Sequence, residues 1–273
     1  MKYTFVISIL LFALLSGNHI ALAMKPVKEY SIVPDTLRLP YEKNILTTSD
    51  GLHLKSWTFL PAKGLDKKTT LVLAYADAGN MSWWLSQATI LSQSGYTVLL
   101  FDYRGFGQSD PFDIDGKMLY YNEFTADLAA AVEFARKKYS ANKTGIWCFS
   151  MGTIITTFSA TTIHPDFIIG DGFITSPIAV QQFYAKKNDF IKLPPRAADY
   201  DAALAAIKAP MLLFAGSDDK VSTPASIKAL KQKKTTLTVI SYKGGHLAGF
   251  NVLSKTFPGS EYVKAVDKFL KAK

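Results

Sequence analysis

Short apolar runs alternate with amphipathic stretches along most of the chain. Residues 70–76 (TLVLAYA), 96–101 (YTVLLF), 144–149, 167–174, 210–215 (PMLLFA) and 237–241 are apolar runs of strand length. Continuous apolar runs of that length fit strands buried on both faces. Residues 52–60 read as an earlier strand. Between them, 83–94 has helical spacing and stops at Gly95. Residues 122–139 form a second predicted helix, with Asn122 as its cap, Asp127 near its start and Arg136, Lys137 and Lys138 at its end. A final amphipathic helix is expected over 261–272. Such alternation predicts an α/β chain: a mostly parallel central sheet, helices on both faces and right-handed crossovers.

Three segments depart from the alternation. Residues 153–162 (TIITTFSATT) are rich in β-branched side chains and read as strand on propensity; the motif that precedes them argues for helix. Residues 177–209, with Pro194-Pro195, are expected to make a short lid-like excursion over the sheet. Residues 24–38 are an irregular lead-in. Ahead of them lies a targeting pattern: Lys2, then an apolar run broken only by Ser8, then Ala21-Leu22-Ala23 as a small-x-small cleavage site. The run is too short for a comfortable membrane span of about 20 residues. The expectation is a signal peptide over 1–23, a single domain over 24–273, and export to the periplasm or beyond.

Composition narrows the function classes. Of 273 residues, 48% are hydrophobic and 19% charged, enough for a sizeable core. The net charge of +9 comes from scattered lysines, which form no stripe of the kind that tracks a nucleic acid. No nucleic-acid partner is expected, and the positive excess allows at most weak association with anionic membrane surfaces. Cys148 is the single cysteine, so no internal disulfide can form. No metal-ligand spacing appears, and no cofactor is expected.

The candidate chemistry centres on Cys148-Phe149-Ser150-Met151-Gly152, directly after a predicted strand. It resembles the G-x-S-x-G nucleophile elbow, with Cys148 in the first glycine's place. A serine hydroxyl attacks well only when an imidazole takes its proton and a carboxylate orients the imidazole. Beyond Ser150, Asp218 and Asp219 follow the strand at 210–215, and Gly244-Gly245-His246 follows the strand at 237–241. Ligands gather at such carboxyl ends of parallel strands. Of the other histidines past the signal segment, His53 precedes the nucleophile and His164 stands before Pro165 in a capping position.

With these segments goes the string Asp102-Tyr103-Arg104-Gly105-Phe106-Gly107-Gln108-Ser109 after a strand, and Ala76-Asp77-Ala78-Gly79-Asn80 after another. Together they resemble the α/β-hydrolase superfamily, most of all its small, lid-poor serine hydrolases near the prolyl oligopeptidase branch. The resemblance runs from about Leu52 to the C-terminus. It implies Ser150 as nucleophile, His246 as base and an acid three residues after the glycine that ends its strand. Counted from Gly216, that acid is Asp219, leaving Asp218 as a turn residue. The implied oxyanion donors are the backbone N–H groups of Asp77 and Met151. Two departures stand out: Cys148, and Tyr75-Ala76 where relatives carry His-Gly. An inward-turned Asp77 carboxylate would also oppose developing negative charge. The expected activity is hydrolysis of carboxylic esters or related small acyl compounds. A serine exopeptidase or acyltransferase with the same residues, and a non-catalytic binding protein, are the alternatives.

Overall fold

The computed structural model describes residues 23–272, so the expected signal segment lies outside the described residues apart from Ala23. Eight strands form the central sheet: β1 (Glu42–Thr47), β2 (His53–Phe59), β3 (Thr69–Ala74), β4 (Thr97–Phe101), β5 (Lys143–Phe149), β6 (Ile168–Asp171), β7 (Met211–Gly216) and β8 (Leu237–Tyr242). Their spatial order is β8-β7-β6-β5-β3-β4-β2-β1. From β4 to β8 every pairing is parallel, while β2 runs antiparallel to both β4 and β1. The apolar runs explain this arrangement, because every residue of β3, β4, β6 and β7 is buried.

The helices are α1 (Leu85–Gln93), α2 (Phe124–Lys138), α3 (Met151–Ile163), α4 (Pro177–Ala185), α5 (Tyr200–Ala206), α6 (Pro224–Lys233), α7 (Gly249–Val252) and α8 (Ser260–Lys271). The β-branched segment is helical, as its position after the elbow predicts. Burial overrides its propensity: α3 is buried from Met151 to Ala160. Thr156 and Thr157 hydroxyls donate back to the Gly152 and Thr153 carbonyls, so they need no outside partner. The predicted cap of α2 is corrected. The helix begins at Phe124 with Glu123 at its N-cap, and Asn122 makes no side-chain cap. Its Oδ1 is buried without a partner, while its carbonyl accepts from Thr125. Residues 177–209 hold α4, the 3-10 turn Pro195–Asp199 and α5. Among the described residues, no helix is long and apolar enough to cross a membrane.

Two buried carboxylates tie down the loop after β4. Arg104 is buried and donates through Nε to Asp127 Oδ1 at 2.8 Å and through Nη1 to Asp50 Oδ2 at 2.6 Å. Asp102 accepts from Tyr30 Oη, Tyr75 Oη and the Met81 amide at 2.7, 3.2 and 2.7 Å. The lead-in is therefore partly ordered into the fold. Lys25 and Pro26 pair in parallel with Ala78 and Gly79, and Asn80 Nδ2 donates to the carbonyls of Val27 and Glu29. The segment from Lys25 to Tyr30 straps the loop that contains Asp77.

Candidate active site

Ser150 sits between β5 and α3 with φ 46° and ψ −116°, a conformation an L-residue adopts only under constraint. The turn is tight because α3 begins against the end of β3. A Cβ at position 152 would run into the Ala74 carbonyl, so only glycine fits there. Cys148 is tolerated for a complementary reason. It lies in register with Gly170 on β6, which presents no side chain, and its Sγ donates to the Ile169 carbonyl at 3.4 Å.

The structure brings three of the expected residues together. His246 Nε2 lies 2.9 Å from Ser150 Oγ, and His246 Nδ1 lies 2.8 Å from Asp219 Oδ2. Asp219 is buried, and its Oδ1 accepts from the amides of Val221 and Ser222, both at 2.8 Å. These two amides fix the carboxylate, leaving Oδ2 for the imidazole. Its neighbour Asp218 is exposed and donates its amide to the Gly244 carbonyl. His164 is elsewhere: it is the left-handed C-cap of α3 and exposed. His53 is exposed on β2, beside Asp110.

The expected oxyanion donors differ in setting. Met151 is the first residue of α3, where an amide has no intrahelical acceptor. Asp77 follows β3, and its carbonyl accepts from the Lys25 amide at 2.8 Å. Burial raises the Asp77 carboxyl above the ordinary range, while its own amide, His246 and Lys25 act in the opposite sense. Tyr75 is fully buried and donates to Asp102. Its hydroxyl anchors the strand end to Asp102.

Two residues that the sequence reading passed over shape the histidine. Asp171, buried at the end of β6, accepts from Tyr242 Oη at 3.0 Å and from the Gly249 amide at 3.1 Å. Those partners flank the loop carrying His246, so one carboxyl holds the loop at both ends. Burial pushes Asp171 up to about 6, against the Tyr242 hydrogen bond and nearby His246. Gly172 follows at φ +60°, with the imidazole packed over it. The hint in the sequence was the Gly-Asp-Gly interruption of the apolar run at 167–174.

Comparison with known proteins agrees with this architecture. Over 91% of its length the chain superposes on an esterase of Pyrococcus furiosus, covering 97% of that chain with a TM-score of 0.68 and 18% identity. It matches a serine hydrolase without lid from Xanthomonas campestris over 85% of its length and 94% of that chain, with a TM-score of 0.60 and 17% identity. The family model described as Serine aminopeptidase, S33, matches residues 70–193. The chain has the α/β-hydrolase fold. Among curated relatives, the chain is 33% identical over 86 residues to the alpha/beta hydrolase domain-containing protein WAV2 of Arabidopsis thaliana, covering 31% of the chain and 28% of that protein. It is 32% identical over 78 residues to an uncharacterized membrane protein of Saccharomyces cerevisiae, covering 28% of the chain and 26% of that protein. The matched segments span less than half the length of these relatives. The matched family supports a hydrolase.

Proposed function

We propose that this chain cleaves carboxylic esters or related acyl compounds through an acyl-serine intermediate. The observation that carries the reading is the imidazole of His246, which bridges Ser150 Oγ and the buried Asp219. In the proposed reaction Ser150 Oγ attacks the acyl carbonyl as His246 Nε2 takes its proton. Asp219 keeps the proton on Nδ1 and stabilises the imidazolium. The amides of Asp77 and Met151 face the developing oxyanion. The imidazolium then protonates the leaving group, and water repeats the sequence to release the acid.

The names of the similar proteins agree with this chemistry: one solved neighbour is an esterase, another a lidless serine hydrolase. The family description, serine aminopeptidase, supports an exopeptidase as second reading. Export after cleavage at Ala23 belongs to the same proposal, and N-terminal sequencing of the exported protein should begin at Met24. The decisive comparison is turnover of p-nitrophenyl acetate and butyrate against aminoacyl p-nitroanilides. Ester turnover that Ser150→Ala abolishes supports the esterase. Anilide turnover alone replaces it with the peptidase, and Ser150-independent turnover removes the mechanism.

A further inference from the structure

The strap and the loop after β3 are joined along their length by a ladder of hydrogen bonds. The Lys25 amide donates to the Asp77 carbonyl at 2.8 Å, and the Val27 amide to the Gly79 carbonyl at 2.9 Å. Just past the strap, the Ser31 amide donates to Ser82 Oγ at 3.2 Å. At the centre of the ladder stands Asn80, fully buried. Its Nδ2 donates to two carbonyls of the strap, Val27 at 3.0 Å and Glu29 at 2.8 Å. Its Oδ1 accepts from the Ser82 amide at 3.1 Å and from Ser82 Oγ at 2.6 Å, which caps the 3-10 turn Met81–Trp84. One side chain thus clasps the strap to the loop and fixes where the loop ends.

The clasped loop carries the proposed oxyanion donor. β3 and β5 pair in parallel with Ala74 opposite Cys148, so counting on in that register brings Ala76 level with Ser150 and Asp77 level with Met151. The first turn of α3 rests on the start of this stretch, since a Cβ at position 152 would meet the Ala74 and Tyr75 carbonyls. The near end of the loop is therefore held by the elbow, and the far end by the strap. The Asp77 amide itself has no main-chain acceptor among the described residues. Its direction is set by what lies on either side: Tyr75 against α3, and the Asp77 and Gly79 carbonyls on Lys25 and Val27. An oxyanion donor works only when aimed beforehand at the place where charge develops, and one such donor is worth about 10²–10³ in kcat.

We infer that Asn80 is a positioning residue for the oxyanion donor at Asp77, and that through it the strap Lys25–Tyr30 is a working part of the active site. The inference rests on the hydrolase reading above and adds a residue and a segment to its machinery. Asn80 acts through the main chain. Its side chain bonds to Val27, Glu29 and Ser82, and to none of Ser150, Asp219 and His246. A carboxamide suits the role because it offers two N–H donors on one side and an acceptor on the other. Its donors take two strap carbonyls, and its oxygen takes the turn.

The test compares Asn80→Ala, Val27→Pro and Gln108→Ala. Val27→Pro removes the N–H that reaches the Gly79 carbonyl and keeps Asn80, so poor folding of one variant does not decide the matter. Gln108→Ala is the control, because its Nε2 bond to the Lys28 carbonyl at 2.8 Å ties the strap to the loop after β4 instead. Native folding is checked by circular dichroism and melting. On p-nitrophenyl acetate, or on an aminoacyl p-nitroanilide if that alone is turned over, Asn80→Ala should lose about 10²-fold in kcat and Val27→Pro about tenfold, as expected of a donor misplaced by about 1 Å. KM should stay within threefold, and Gln108→Ala should match wild type. The Ki of 1,1,1-trifluoroacetone, which forms a tetrahedral oxyanion on the serine, should rise in Asn80→Ala by the factor that kcat/KM falls. The pH profile of kcat/KM should keep its midpoint, because the base is untouched. A natively folded Asn80→Ala with kcat within threefold of wild type overturns the inference and leaves the hydrolase reading standing. So does a loss that comes with a shifted pH midpoint and an unchanged Ki. If Asn80→Ala does not fold, wild-type kcat in a folded Val27→Pro overturns it equally. If wild type turns over neither substrate and a fluorophosphonate leaves Ser150 unlabelled, both fall.

Discussion

Gly172→Ala places one methyl group against the imidazole and nothing else of functional weight. The new Cβ would stand 2.6 Å from His246 Cε1 and 3.0 Å from Nδ1, with Leu247 Cδ2 at 2.8 Å. Carbon atoms pack at about 3.5 Å or more, so the ring must retreat by roughly 1 Å. The two hydrogen bonds at 2.8 and 2.9 Å that hold it between Asp219 and Ser150 would stretch or break. A misplacement of that size costs about 10²-fold in rate. Gly172 also sits at φ +60°, where an L-residue costs roughly 1–2 kcal/mol. Gly64→Ala separates the two effects, because Gly64 has φ +81° and open space around its Cβ position. Both variants should melt a few degrees lower, about 2–4 °C per kcal/mol for a chain of this size. Only Gly172→Ala should lose about 10²-fold in kcat on p-nitrophenyl acetate. Retention of wild-type kcat within threefold by a natively folded Gly172→Ala would refute the proposed placement of the base.

Asp219→Asn should lower kcat by about 10³-fold or more, by analogy with amidation of a triad aspartate; Asp218→Asn should cost less than about tenfold, and kinetics in the reverse order would transfer the role of acid. Arg104→Ala leaves the buried Asp127 without its cation and should destabilise the fold by about 3–5 kcal/mol in urea titrations, and a loss below 1 kcal/mol would show that the loop after β4 is held by other contacts. Asp171 predicts a pH dependence of stability. Its carboxyl is raised from 3.8 to about 6 in the folded state, so the folded protein holds this proton more tightly than the unfolded chain. Its contribution is complete below the ordinary value and is lost as pH rises through about 6. The melting temperature of wild type relative to Asp171→Asn should therefore fall between pH 4 and 6 and stay level above about 7, a span worth about 3 kcal/mol; a relative rise over that range would mean that the fold favours the ionised carboxyl.

The residues differ sharply in how far the chain alone reveals them. The strands at 70–76 and 96–101 were legible because burial on both faces leaves a continuous apolar run. The elbow was legible because its demands are local: a strand end, small neighbours and a helix start within five residues. His246 and Asp219 were legible from their order and from their glycine-marked loops. What stayed hidden depends on partners distant in sequence. Asp171 acts through Tyr242 and Gly249, more than seventy positions along the chain. Asp102 gathers Tyr30, Tyr75 and Met81, and no periodicity announces such a hub. The strap from Lys25 has no repeating pattern because its main chain makes most of the contacts. The cap expected at Asn122 failed because capping residues also serve turns. Here the Asn122 carbonyl closes a turn onto Thr125, and the helix starts two residues later.

The central claim is that Ser150 is a nucleophile activated by His246. It is tested most directly by treating the purified protein with a fluorophosphonate and locating the adduct by peptide mass spectrometry. The account expects one stoichiometric adduct on Ser150, lost in Ser150→Ala and formed far more slowly in His246→Ala. An unmodified Ser150, or an adduct on another residue that persists in Ser150→Ala, would contradict it.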